Sequence, residues 1–108
     1  VYLSSTSVYG NHEGGWVDEE SDCDPESALG RMRLDLENHL ESRSWGGEGE
    51  MHACYVARIV GIYGPGRTLA DYIARGSYKL VDEGKKVTNR LHVDDLSRAI
   101  LAIALIPR

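Results

Sequence analysis

The chain has 108 residues, 42% hydrophobic and 27% charged, an ordinary globular balance and enough length for one small domain with a core. A formal net charge of -5 argues against a general nucleic-acid binder, which would carry a basic stripe. Two cysteines, Cys23 and Cys54, supply neither a disulfide framework nor a CxxC pair, so a reducing compartment, the cytoplasm, is expected.

Val1 to Gly10 is an apolar run that enters a cluster of hydroxyls and turns at Tyr9-Gly10. A buried parallel strand reads this way where it ends and delivers side chains to a crevice, and open α/β sheets bind ligands at that crevice. Asn11 to Glu26 is polar and rich in Gly, Asp and Glu. It reads as a long surface loop with Trp16 and Val17 as apolar anchors, and loops of this length are usually functional or mobile. The acidic run Asp18-Glu19-Glu20 reads as a solvated face.

A helix is predicted from about Ser27 to Ser42, with Leu29, Met32, Leu36 and Leu40 as its buried stripe. Ser27 or Asp24 can cap its start, where nearby carboxylates suit the positive end of the dipole. Arg43 to Glu50 is a Gly-rich turn. Ala53 to Tyr63 is nearly continuous in apolar and aromatic residues. That continuity predicts a strand buried on both faces of a parallel sheet.

Thr68 to Arg75 is a short predicted helix that stops at Gly76. Tyr78–Val81 and Val87–Val93 are β candidates on either side of a hairpin turn at Asp82-Glu83-Gly84-Lys85. Asp94 and Asp95 are expected to cap a last helix, with Leu96, Ala99, Ile100 and Ile103 buried and Pro107 ending it. The longest apolar run, near Ala99 to Pro107, is far too short to span a bilayer, so no membrane partner is expected. His52 and Cys54 would share one strand face. A metal site needs at least one more ligand at good spacing, so Cys54 reads as core packing and no metal is expected. Strand, helix, strand, helix, with short β pieces added late, is an α/β order.

Three spaced motifs carry a more specific signal. Ser4-Ser5-Thr6-Ser7-Val8-Tyr9-Gly10, Gly61-Ile62-Tyr63-Gly64-Pro65-Gly66-Arg67 and Asn89-Arg90-Leu91-His92-Val93-Asp94-Asp95-Leu96 resemble the extended short-chain dehydrogenase/reductase superfamily. That group includes NAD-dependent sugar-nucleotide epimerases and dehydratases, and the resemblance spans essentially the whole chain. Gly15-Trp16-Val17-Asp18-Glu19 and Gly30-Arg31-Met32-Arg33-Leu34 are similar to an atypical bacterial-type branch. The resemblance implies part of a doubly wound Rossmann-type parallel sheet with its first βαβ half missing, plus part of a small substrate-binding region. Residues 1–67 would supply late strands and a helix, and 68–108 the substrate side. The cofactor implied is NAD or NADP. Its Gly-rich fingerprint belongs on a first strand and helix, and G-x-x-G-x-x-G appears nowhere in this sequence. The chain is therefore expected to begin part-way through a longer domain, and organelle targeting stays open.

By the same resemblance Ser5 matches the catalytic Ser/Thr, and Ser4, Arg33, Ile62 and Tyr63 lie along the cofactor. A hydroxyl at a strand's carboxyl end can hydrogen-bond a substrate oxygen as charge develops, or it can satisfy loop backbone groups. The family's Tyr and Lys, four residues apart, fall on Leu29 and Arg33. Leucine cannot transfer a proton, while arginine keeps the charge but cannot share protons as lysine does. Arg33 could also pair with Glu37 on the helix surface. Tyr9, His12 and Tyr63 are the substitutes near the crevice mouth, an imidazole being the side chain suited to proton transfer near neutrality. Arg67, Asn89, Arg90 and His92 are expected at the substrate, where guanidinium forks suit phosphate or carboxylate.

Two functions follow as expectations. The first is a fragment of an NAD(P)-dependent oxidoreductase or epimerase-like protein acting on a small or nucleotide-linked substrate. The second is a non-catalytic dinucleotide-binding regulator or sensor, suggested by Leu29. A half sheet would also expose a strand edge, which invites pairing with another copy as a homodimer or leaves the piece inert alone.

Overall fold

A computed structural model describes residues 1–43, 54–79 and 85–106. The first strand, β1 (Tyr2–Ser5), runs directly into a 3-10 turn over Thr6–Tyr9. Ser5 caps that turn, its Oγ accepting the Ser7 N–H at 3.1 Å. Val8 is fully buried behind it. The turn ends at Gly10, whose φ of 76° suits glycine, and a Cβ there would lie 1.9 Å from the Asp24 carbonyl oxygen. The Tyr-Gly pair thus answers a steric demand: the loop returns against it, and the Asp24 N–H donates to the Tyr9 carbonyl at 3.2 Å.

Trp16 and Val17 do not anchor that loop. The Trp16 side chain is fully exposed and Val17 is exposed as well. Polar contacts hold the loop instead: Asp18 N–H donates to Ser21 Oγ at 2.9 Å, and His12 Nε2 donates to the Tyr9 and Asp22 carbonyls at 3.1 Å each.

Helix α1 spans Ala28–Arg43, close to its expected limits. Ser27 caps it, accepting the Gly30 N–H at 3.0 Å. The Asp24 carboxylate forms an exposed ion pair with Arg31 at 3.8 Å, a contact of little energetic weight. The inward face differs from the expected one. Gly30 and Glu37 are buried and Arg33 and Leu34 half-buried, while Leu29 and Met32 are 60% and 66% exposed and Leu36 also faces out. The reason is close packing. A Cβ on Gly30 would sit 2.9 Å from the Ser7 carbonyl oxygen, so α1 meets the 3-10 turn on its small face. Leu29, Met32 and Leu36 of the expected stripe are then turned outward, while Leu40 is half-buried.

The expected strand over Ala53–Tyr63 is two strands broken at Val60. β2 (Val56–Ile59) pairs with β1 in parallel, Tyr2 opposite Val56 through Ser5 opposite Ile59. β3 (Gly61–Tyr63) pairs in parallel with β4 (Arg90–His92), Gly61 opposite Arg90. The parallel arrangement is as expected. Burial on both faces is not: no residue from Val56 to Tyr63 is fully buried, since the described strands form two separate two-stranded sheets whose faces are only partly covered. Ala53, His52 and the turn from position 44 onward lie outside the described residues.

Helix α2 (Leu69–Ala74) opens on a reciprocal capping box. Asp71 N–H donates to Thr68 Oγ1 at 3.1 Å and Thr68 N–H to Asp71 Oδ2 at 2.9 Å. No hairpin follows. Tyr78 and Lys79 are not in a strand, positions 80–84 lie outside the described residues, and β4 is confined to Arg90–His92. Its partner is β3, reached through α2, and a parallel pair requires such a crossover where a hairpin would give an antiparallel one.

Helix α3 (Val93–Ala104) follows β4 without a loop. Its cap is His92, whose Nδ1 accepts the Asp94 N–H at 3.1 Å, so Asp94 and Asp95 occupy the first turn instead of capping it. Their charge there complements the dipole. Leu96 is buried and Ile100 and Ile103 are half-buried as expected, but Ala99 is exposed. Pro107 lies outside the described residues.

Candidate functional site

The β1 strand delivers the 3-10 turn to one wall of an open cleft of about 1060 Å³. Ser5, Thr6, Ser7, Tyr9 and Gly10 form that wall, the loop through His12 to Gly15 adds to it, and the segment from Lys85 to Asn89 lies across from them. The two sides approach closely, since a Cβ on Gly14 would lie 3.5 Å from a Val87 methyl. This is the crevice at the carboxyl end of a parallel strand.

The candidate residues fall in two groups. Ser5 and Asn89 line the cleft. Ser5 is a structural cap and also a potential donor: the Ser7 N–H occupies a lone pair, which leaves the hydroxyl proton free to point elsewhere. Asn89 accepts the Gly61 N–H on its backbone oxygen at 3.2 Å, tying the cleft to β3. The second group sits at the ends of β3 and β4. Ile62 is half-buried, and the Tyr63 ring meets the His92 ring edge-on at 5.1 Å. Arg67 Nε donates to Tyr72 Oη at 3.3 Å, Arg75 Nη2 donates to the Gly66 carbonyl at 2.8 Å, and Arg90 is exposed.

Ser4, Arg33 and Leu29 are not among the residues lining the cleft. Ser4 is buried against α1. The Arg33 guanidinium donates to the Leu3 carbonyl at 3.3 Å and does not pair with Glu37.

Glu37 has a different partner, one the sequence reading missed. Arg58 on β2 donates to it through Nη2 at 2.8 Å and through Nε at 3.2 Å to each carboxylate oxygen, with both side chains largely buried. Burial pushes the Glu37 carboxyl up, but the Arg58 fork more than offsets this, helped by the Ser4 hydroxyl beside it. The group titrates below its ordinary 4.5. The Ser4 hydroxyl itself meets no full hydrogen-bond geometry among the described residues. Arg58 is held above its usual range, chiefly by Glu37. Its guanidinium also lies 4.8 Å over the Tyr9 ring, and His12 meets Tyr9 edge-on at 6.2 Å. A line of contacts therefore runs from α1 through β2 to the cleft wall. The signal was a lone arginine inside an apolar strand run, since a charge there demands a partner.

Among the described residues no three His, Cys, Asp or Glu side chains gather as a metal site would need. No helix among them is long and apolar enough to cross a membrane.

No protein-family profile matches the chain. Over all 108 residues it is 29% identical to protein YeeZ of Escherichia coli strain K12, of which it spans 36%. A solved structure of a conserved protein of unknown function from Silicibacter pomeroyi is 34% identical, with a TM-score of 0.77 over 99% of this chain and 36% of the other. A second, from Methylobacillus flagellatus and provisionally named an NAD-dependent epimerase/dehydratase, is 26% identical, with a TM-score of 0.65 over 98% of this chain and 37% of the other. The chain thus spans little more than a third of the length of the proteins it matches. The likeness identifies a partial Rossmann-like α/β fold and supports kinship at the level of the epimerase/dehydratase superfamily.

Proposed function

We propose that this chain is part of an NAD(P)-dependent oxidoreductase or epimerase-like protein that acts on a small or nucleotide-linked substrate. The supporting observation is the position of Ser5, which ends a parallel strand at the wall of a polar cleft, its Oγ accepting the Ser7 N–H and its hydroxyl proton given no acceptor among the described residues. In this role Ser5 donates to a substrate oxygen and stabilises charge as it develops. The cleft's hydroxyls and the Asn89 amide suit a ribose or a carboxamide, and the sequence carries no G-x-x-G-x-x-G pyrophosphate motif. Nicotinamide, when bound, supplies hydride transfer. Arg33 serves the ribose by exchanging its bond to the Leu3 carbonyl for ribose hydroxyls, and Arg67 and Arg90 hold an anionic part of the substrate.

A second reading, a dinucleotide-binding regulator without turnover, is favoured by Leu29. The aliphatic side chain at the usual proton-transfer position is solvent-exposed and cannot move a proton.

Titrating NADH and NADPH by fluorescence into this chain and into its full-length reading frame tests the proposal. Binding is expected for the full-length protein. A folded full-length protein that binds neither dinucleotide sinks both readings. Bound dinucleotide with no turnover, restored by Leu29→Tyr, selects the regulator.

A further inference from the structure

With leucine at position 29, an oxidoreductase built on this cleft needs another group to move the proton. Tyr9 lines the cleft but is buried, its ring covered by the Arg58 guanidinium. His92 and Tyr63 do not line it, and His92 Nδ1 is committed to the Asp94 N–H. The remaining ionisable side chains of the cleft are Glu13, Glu26, Lys85 and Lys86. Carboxylates and amines are ordinarily ionised at neutrality, so neither type sits midway between its protonated and free forms.

His12 differs in a specific way. It is half-buried in the cleft wall, and its Nε2 lies 3.1 Å from two backbone carbonyl oxygens, those of Tyr9 and Asp22. Carbonyls only accept, so Nε2 carries the proton, and in the neutral ring Nδ1 then keeps the lone pair. No described residue takes up Nδ1. The ring also stands edge-on to Tyr9, whose ring the Arg58 guanidinium contacts at 4.8 Å. Two backbone acceptors thus select the tautomer, and an aromatic neighbour steadies the ring. Such orientation is what a general base requires.

We propose that His12 is the proton-transfer residue of this cleft, which Ser5 also lines, acting through Nδ1, a role that rests on the nicotinamide-dependent reading above. In the oxidative direction the substrate is a secondary alcohol. Its O–H bond breaks and the proton passes to His12 Nδ1, while its C–H bond breaks and the hydride passes to an oxidised nicotinamide dinucleotide. The carbonyl π bond forms, the alcohol is oxidised, the dinucleotide is reduced and His12 is left as imidazolium. The reverse direction uses the imidazolium as acid.

The test uses the full-length protein and the charge difference between the two cofactor forms. Oxidised nicotinamide is cationic and reduced nicotinamide is neutral, so a protonated His12 beside the ring disfavours only the oxidised form. The affinity for NAD(P)+ relative to NAD(P)H is expected to rise roughly tenfold between about pH 5.5 and pH 8, and to stay flat in His12→Gln. Glutamine keeps an N–H for the two carbonyls but has no base. Glu13, Asp22, Glu26, Tyr9, Lys85 and Lys86 face the same region, but carboxylates ordinarily titrate below this window and phenols and amines above it. Nitrogen-15 NMR of the unsubstituted protein is expected to show the Nε2–H tautomer at His12. A flat ratio in the unsubstituted protein, an unchanged slope in His12→Gln, or the Nδ1–H tautomer overturns the assignment. Absence of binding by any dinucleotide form overturns the underlying reading, and the role of His12 with it.

Discussion

Glu37 and Arg58 form a two-pronged ion pair across the α1–β2 interface, with Nη2 2.8 Å from Oε2 and both side chains largely buried. Desolvating two charges is costly, and only good geometry repays it. Removing one partner strands the other, so Glu37→Ala is expected to cost about 3–5 kcal/mol of unfolding free energy. Replacing both, as Glu37→Leu with Arg58→Met, is expected to recover most of that loss. Urea unfolding of the single and double variants of the full-length protein checks this. A single variant that unfolds like the unsubstituted protein refutes a fastening role for the pair.

The same pair sets an acid limit. The Glu37 carboxyl titrates below its ordinary 4.5 in the folded state, so the unfolded chain binds the proton more readily. Its contribution is fully present above the ordinary value and is lost as pH falls through the folded one. Asp71, lowered by its Thr68 hydrogen bonds, acts in the same direction. Stability is therefore expected to drop as pH falls below about 4.5, with a shallower slope in Glu37→Gln. Thermal unfolding across that range measures the slope, and equal slopes in both proteins refute the assignment to Glu37.

Two glycines share a φ of 76° but differ in what an added Cβ would meet. At Gly66 a Cβ meets nothing within 4 Å, whereas at Gly10 it runs into the Asp24 carbonyl at 1.9 Å. Gly66→Ala is expected to cost about 1 kcal/mol, the penalty of the left-handed region alone. Gly10→Ala is expected to cost roughly 3 kcal/mol or more, because the returning loop must also move. Denaturation midpoints of the two variants give the comparison, and equal costs rule out close approach as the reason for Gly10.

These contrasts show how much of the molecule was legible. The Ser5-to-Gly10 stretch announced both a strand end and a turn, since a hydroxyl cap and a left-handed glycine are local requirements. The limits of α1 were legible for the same reason. Its inward face was not, because apolar spacing points to the Leu29–Met32–Leu36 stripe while Gly30 and Glu37 dictate the contact through close approach and a charge partner on another element. The break at Val60 and the pairing of β4 with β3 depend on partners distant in the chain, which strand propensity does not encode. Family resemblance points His92 toward the substrate, whereas its capping of α3 depends on a ring nitrogen taking a place usually held by Asp or Ser.

Ser5 carries two roles that substitutions can pull apart. As cap it needs only an acceptor for the Ser7 N–H, which aspartate also supplies. As substrate partner it needs a hydroxyl proton, which aspartate lacks and threonine keeps. Ser5→Ala is expected to lose about 1 kcal/mol of stability together with activity. Ser5→Asp is expected to recover the stability while turnover stays down by about a hundredfold, the loss typical of a missing donor to a developing oxyanion. Ser5→Thr is expected to keep both. Unfolding curves set beside turnover for the three variants make the decision. If Ser5→Asp turns over as well as the unsubstituted protein, the hydroxyl is a cap only, and the donor to substrate must be sought among Thr6, Ser7, Ser27 and Thr88, further aliphatic hydroxyls lining the cleft.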